Sequence, residues 1–312
     1  MHKIICSKYI NMSYYENKDL FIQPKVAQYG SNMVMTNVLK ENKTKYVNID
    51  SRFSDEYKET NSKSEYIITL SEKITDVKKT GIKSIELPVS FYNISSNLGN
   101  NTFKLIYNTT SYLFNIPDGN YTSTDLKSKL NSLATSYSLN VNFDIQNNKF
   151  IITNNSGNNL TVNFNTDDVG NITKYNFKSR LGWAMGFRNY QYIIASTRNI
   201  TAEATFDLNI PKYLYLAIDE FGKGNQNSFI SPLPTSLINK NIIARICCDY
   251  KQYSYGSVLY ANEYNGLLIS DTRSYTGKID IQKLNIKILN EYGIVMDLNG
   301  LDYSFLLKLE HE

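Results

Sequence analysis

The chain has 312 residues, 42% of them hydrophobic, which supplies a sizeable core and excludes a natively disordered polymer. Its 33 basic and 29 acidic residues are interspersed, with a net charge of +4 and no run of Lys/Arg longer than Lys78-Lys79, so the concentrated phosphate-neutralising face of a nucleic-acid binder is not written into it. Cys6, Cys247 and Cys248 are an odd set without metal-ligand spacing, which excludes a disulfide framework and fits a reducing compartment. The adjacent pair reads as two small buried side chains on a strand. No apolar run approaches membrane-spanning length, so no transmembrane segment is expected. Tyr (25) outnumbers Phe (14), and Asn is heavily used. The sequons at Asn108, Asn159, Asn171 and Asn199 follow from that composition.

Residues 1–63 are expected to be an N-terminal arm, either extended and disordered or ordered by a partner. Within it, residues 45–55 (KYVNIDSRFSD) read as an edge strand followed by a loop. Met12 offers an alternative start. Residues 66–70 form a strand, and residues 82–91 a second, in which Ile85, Leu87, Val89 and Phe91 share a face. Pro88 cannot donate to a ladder, which predicts an edge strand or a bulge there.

From Thr102 to about Asn165 the pattern predicts a small sheet with one helix. Phe103, Leu105 and Tyr107 alternate, and residues 112–116 return as a hairpin. Pro117-Asp118-Gly119-Asn120 turns the chain, with Pro117 and Gly119 as structural residues. Thr122 and Asp125 resemble a capping box ahead of a helical face of Leu126, Leu130 and Leu133. Strands follow at 141–145, 150–153 and 160–164. Residues 177–188 (FKSRLGWAMGFR) hold the only Trp; Trp183 is expected to be a buried aromatic plug between two subdomains, with Gly182 and Gly186 allowing close backbone approach.

Residues 213–221 (YLYLAIDEF) are almost continuously apolar, as in a strand buried on both faces. Strands are also predicted at 242–248 and 266–270, and residues 250–264 as a tyrosine-rich loop. The closing stretch 278–310 alternates twice, at Ile281, Leu284, Ile286 and Ile288 and then at Tyr303, Phe305, Leu307 and Leu309. It predicts a strand pair linked through turns at Gly293 and Gly300. The fold class is therefore mainly β: a β-sandwich, jelly-roll-like, made of 64–101 plus 209–312, carrying residues 102–208 as an inserted α+β subdomain.

The search for chemistry is mostly negative. The only histidines are His2 and His311, at opposite ends, which leaves no internal imidazole for a nucleophilic relay or a metal site. The carboxylate pairs Asp167-Asp168 and Asp219-Glu220 point to opposite faces if extended, so neither makes a glycosidase site alone. Gly222-Lys223-Gly224 precedes no helix start and is not a phosphate loop. No cofactor, metal or catalytic set is assigned, and the chain is expected not to be an enzyme. Tyrosines suit interfaces, since each covers a large area and keeps a polar tip. The candidate contact residues are Tyr14, Tyr15 and Tyr29 in the arm, Arg52 after the first strand, and Tyr250, Tyr253, Tyr255, Tyr260 and Tyr264.

Taken in order, NIDSRF (48–53), ELPVSFYNIS (86–95), IPDGNYT (116–122), LGWAMGFR (181–188), YLYLAIDEF (213–221) and the closing IDIQKLNIKILNEYG and DLNGLDYSFLLKLE resemble minor capsid or virion structural proteins of the giant viruses, the nucleocytoplasmic large DNA viruses. The resemblance spans roughly 46–310 and leaves the arm uncovered. It implies a non-enzymatic β-rich component of an icosahedral shell, assembled in the host cytoplasm. It also implies major capsid protein, other minor capsid proteins and further copies of itself as partners, and supplies no catalytic residues. The competing expectation, from the tyrosines, is a carbohydrate-binding surface module; a glycoside hydrolase would need two converging carboxylates.

Overall fold

Alternating apolar residues dominate the chain, and in the computed structural model they form fifteen strands among the described residues, 41–56, 64–167, 169–171, 177–221 and 241–312. The central element is β2 (Glu65–Pro88), a continuous strand of 24 residues. The sequence suggested two strands here because the buried positions break step. They fall at Ile74, Val77 and Thr80 and again at Ile82 and Ile85, three apart instead of two. Opposite β15 (Ser304–His311), β2 carries an extra residue between Val77 and Lys79 and another between Ile82 and Ser84. Such bulges shift the side-chain alternation while the strand continues.

β2 also separates the two closing strands. β14 (Arg273–Asn290) and β15 do not pair with each other; each pairs antiparallel with β2, on its opposite edges. Their apolar faces were read correctly, but the partner lies more than 180 residues upstream, where no local pattern points to it. The ladder runs β1 (Lys43–Asp50), β15, β2, β14, β10 (Tyr213–Asp219), β11 (Ile242–Cys247), β13 (Leu268–Ser270), and β12 (Val258–Asn262) pairs with β2 beyond the end of β14. β1 is the edge strand expected from the sequence, so the sheet takes in residues otherwise assigned to the arm. Pro88 is not on an edge strand: it is the last residue of a strand flanked by β12 and β15, opposite Val258, where a missing donor costs least. β12 itself was read as loop.

The sheet curls so that Ile85, Leu259, Leu284, Ile286, Leu214, Leu216, Ile246, Phe305 and Leu307 share one core. The fold is thus mainly β, in the manner of a β-sandwich. β10, between β11 and β14, is buried along five consecutive residues, as its continuous apolar run requires.

A second core lies within the same compact unit, residues 45–311. Its sheets are β4 (Thr110–Asn115), β3 (Thr102–Tyr107), β7 (Leu160–Asn163) and β8 (Gln191–Ile194), and β5 (Val141–Gln146), β6 (Lys149–Asn154) and β9 (Asn199–Thr201). There are two small sheets where one was expected, because β7 pairs with β3 and not with the β5–β6 hairpin that precedes it, and β8 and β9, which were not foreseen, extend one sheet each. Helix α1 (Ser123–Ser136) starts at the capping box, with Thr122 Oγ1 accepting from the Asp125 N–H at 3.2 Å and Asp125 Oδ2 accepting from the Thr122 N–H at 3.3 Å. It buries Leu126, Leu130 and Ala134, while Leu133 stays half-buried. Phenylalanines fill the centre: Phe103 and Phe114, and Phe164 and Phe187, have ring centroids 4.8 Å apart.

The short helix α2 (Leu181–Ala184) shows why two glycines stand in LGWAMGFR. A Cβ on Gly182 would run into the Phe164 ring, and one on Gly186 into the Ala204 carbonyl, with Gly186 also at φ +96°. Trp183 is not the buried plug predicted. It is half-exposed, covered by the Arg188 guanidinium at 4.1 Å from the ring centroid and edge-on to Phe177, while Leu181, Met185 and Phe187 are the buried members. Cys247 and Cys248 are free and half-buried; β11 ends at Cys247, and Cys248 packs against the first core.

Candidate functional site

Two features of the surface present side chains that the fold does not use. The first is outward-facing. Because alternate residues of β12 point away from the core, Leu259 and Ala261 are buried while Val258 (58% exposed) and Tyr260 (45%) face out. The same stretch of chain adds Tyr264 at 97% and, on β13, Ile269 at 53%. Exposed apolar side chains of this size mark contact surfaces where they are contiguous, and these four fall within a dozen residues of chain.

The second is a cleft of about 370 Å³ at the end of β2, walled by residues 89–93, by 120–123 at the start of α1, by 206–210 and by 250–255. Hydrogen bonds fix these walls. Asn93 Nδ2 donates to the carbonyls of Tyr121 (2.9 Å) and Leu208 (3.0 Å), and its Oδ1 accepts from the Tyr121 N–H (2.9 Å), so one side chain ties three segments together. Tyr250 donates to the Pro211 carbonyl at 2.7 Å, and Gly256 N–H to Val89 at 2.8 Å. Tyr121 donates to the carbonyl of Pro117 at 2.8 Å, and Gly119 bridges Ile94, which places the predicted turn at the rim. Asp207 is ion-paired with Lys212.

The residues nominated from the sequence divide accordingly. Tyr14, Tyr15 and Tyr29 lie outside the described residues, as do Asp168 and Gly222-Lys223-Gly224. Arg52 donates to both oxygens of Asp50, from Nη2 at 2.6 Å and from Nε at 3.0 and 3.1 Å. Those hydrogen bonds hold the Asp50 carboxyl below its ordinary value. Tyr250 and Tyr253 are half-buried against the first core, and burial pushes the Tyr250 hydroxyl far up. Tyr255 lines the cleft and stacks on Tyr92 at 6.0 Å, whereas Tyr260 and Tyr264 belong to the outward surface. Gly293 and Gly300 sit at φ +82° and +76° in their turns.

Sequence reasoning missed the cleft, whose walls are separated by up to 160 residues. It also missed the buried ion pair of Arg273, in which Nη1 donates to both Glu220 oxygens at 2.6 and 2.7 Å and to the Ile218 carbonyl at 2.9 Å. Tyr275 donates to the same carboxylate at 2.6 Å. Among the described residues, no cluster of three His, Cys, Asp or Glu side chains could hold a metal ion, and no helix is long and apolar enough to cross a membrane.

No family model and no curated protein matches the chain. Among solved structures, the mavirus penton protein is similar over 88% of this chain and 100% of its own, with 10% sequence identity and a TM-score of 0.43.

Proposed function

We propose that this chain is a non-enzymatic structural protein of an icosahedral virus capsid, a minor component that contacts and stabilises capsomers of the major capsid protein. The observation that carries the reading is the outward surface of Val258, Tyr260, Tyr264 and Ile269, apolar side chains held on and between strands of a rigid sheet. Side chains presented on a fixed scaffold lose little freedom on docking, which favours association. The resemblance of the ordered strings to giant-virus virion proteins suggests the kind of partner. In this reading residues 1–63 include a tethering arm, 64–101 with 209–312 are the sandwich, and 102–208 are an insertion on it.

Recombinant chain mixed with purified major capsid protein capsomers tests the reading. Co-sedimentation is expected, and Val258→Asp with Tyr260→Glu should weaken it by roughly tenfold or more, as loss of central apolar contacts does. A folded chain that never associates with capsomers would contradict it.

A further inference from the structure

The residues that line the cleft favour some classes of ligand over others. Anions are disfavoured because the N-terminus of α1 already has its capping box and because no Lys or Arg is among the described lining residues. Cations are disfavoured because the Asp207 carboxylate in the wall is neutralised by Lys212. An extended peptide adds to a free strand edge through main-chain hydrogen bonds. Here six N–H groups of two walls are spent, Tyr121 on Asn93, Thr122 on Asp125, Phe206 on Asn148, Asp207 on Ala184, Asn209 on Asp207 and Ile210 on Leu208, which leaves no continuous strand edge along 121–122 or 206–210.

What remains for recognition is side chains. Tyr255, Tyr121 and Phe206 supply aromatic surface, and Asn120, Asn209 and Ser254 supply neutral groups that both donate and accept. A sugar ring has the matching chemistry, with C–H faces that lie against aromatic rings and hydroxyls around the rim that need donors and acceptors together. The volume is within the range of small-ligand sites, and the walls are preformed by the Asn93 clamp.

We propose that this cleft binds one or two rings of a neutral glycan. The inference does not rest on the capsid reading, since a glycan-binding surface would serve the chain inside or outside a shell.

The test is a panel of neutral and charged glycans on the full chain, followed by ligand-observed NMR titration of the best binder. It is carried out on wild type and on Tyr255→Ala, Asn209→Ala and, as an exposed tyrosine outside the cleft, Tyr264→Ala. Circular dichroism melts verify that each variant is folded. Neutral glycans should bind, Tyr255→Ala and Asn209→Ala should each weaken binding by roughly tenfold, and Tyr264→Ala should leave it unchanged. The proposal is overturned if no neutral glycan binds the folded wild type, or if the two cleft variants bind as well as wild type. It is equally overturned if Tyr264→Ala abolishes binding, or if a peptide library yields ligands displaced by Tyr255→Ala while glycans yield none.

Discussion

Arg273 is 1% exposed, and its Nε and Nη2 have no hydrogen-bond partner, so Glu220 is the group that makes its burial tolerable. Removing that carboxylate leaves an uncompensated buried charge, and Glu220→Gln is expected to cost about 3–5 kcal/mol, read from urea unfolding. Glu220→Leu combined with Arg273→Met should recover most of the loss, because the pair removed together leaves no charge behind. Two other carboxyls predict opposite pH effects. Burial raises the Glu291 carboxyl above its ordinary value of 4.5, so its penalty is absent below that value and complete above the raised folded one. Glu291→Gln should therefore stabilise the chain at neutral pH, with the gain vanishing below about pH 4. Asp50, held low first by its hydrogen bonds to Arg52, contributes stability above its unfolded value and loses it as pH falls through the folded one. Asp50→Asn should lower stability at neutral pH and flatten the acid limb of the stability curve. Thermal unfolding across pH checks both.

At the scale of elements, the parts legible in the sequence were those whose cause is local. Thr122 and Asp125 announce α1, the 102–116 alternation announces the β3–β4 hairpin, and the almost continuously apolar run of 213–221 announces a strand covered on both faces. What was not legible depends on partners far along the chain. The polar stretch 71–81 looks like a break between strands, yet bulges opposite β15 carry β2 through it, and only the folded ladder shows that β2 lies between β14 and β15. Ile85 sits further along β2, where β12 and β15 flank it, fully buried and opposite both Ala261 and Phe305. Ile85→Ala is expected to cost about 2–5 kcal/mol, and Thr122→Ala, which removes only the cap of α1, about 1 kcal/mol, both measurable by chemical denaturation. If the two cost the same, β2 is not the organising strand.

For the molecule as a whole, the same distinction separates the two surface features. The tyrosines of 250–264 were visible as a composition, and β12 turns part of that stretch outward because strand alternation leaves Val258 and Tyr260 no other side to face. The cleft was invisible, since residues 89–93, 120–123, 206–210 and 250–255 share no motif and meet only through hydrogen bonds such as those of Asn93. On the two proposals made above, both features serve recognition, and each is tested separately. The most direct test of the capsid role is chemical cross-linking and mass spectrometry of purified virions. The account predicts the chain among the virion proteins, with cross-links to major capsid protein from the exposed Lys251 and from Lys18, Lys25 or Lys40 of the expected arm. A chain abundant in infected cells and absent from purified virions would contradict it.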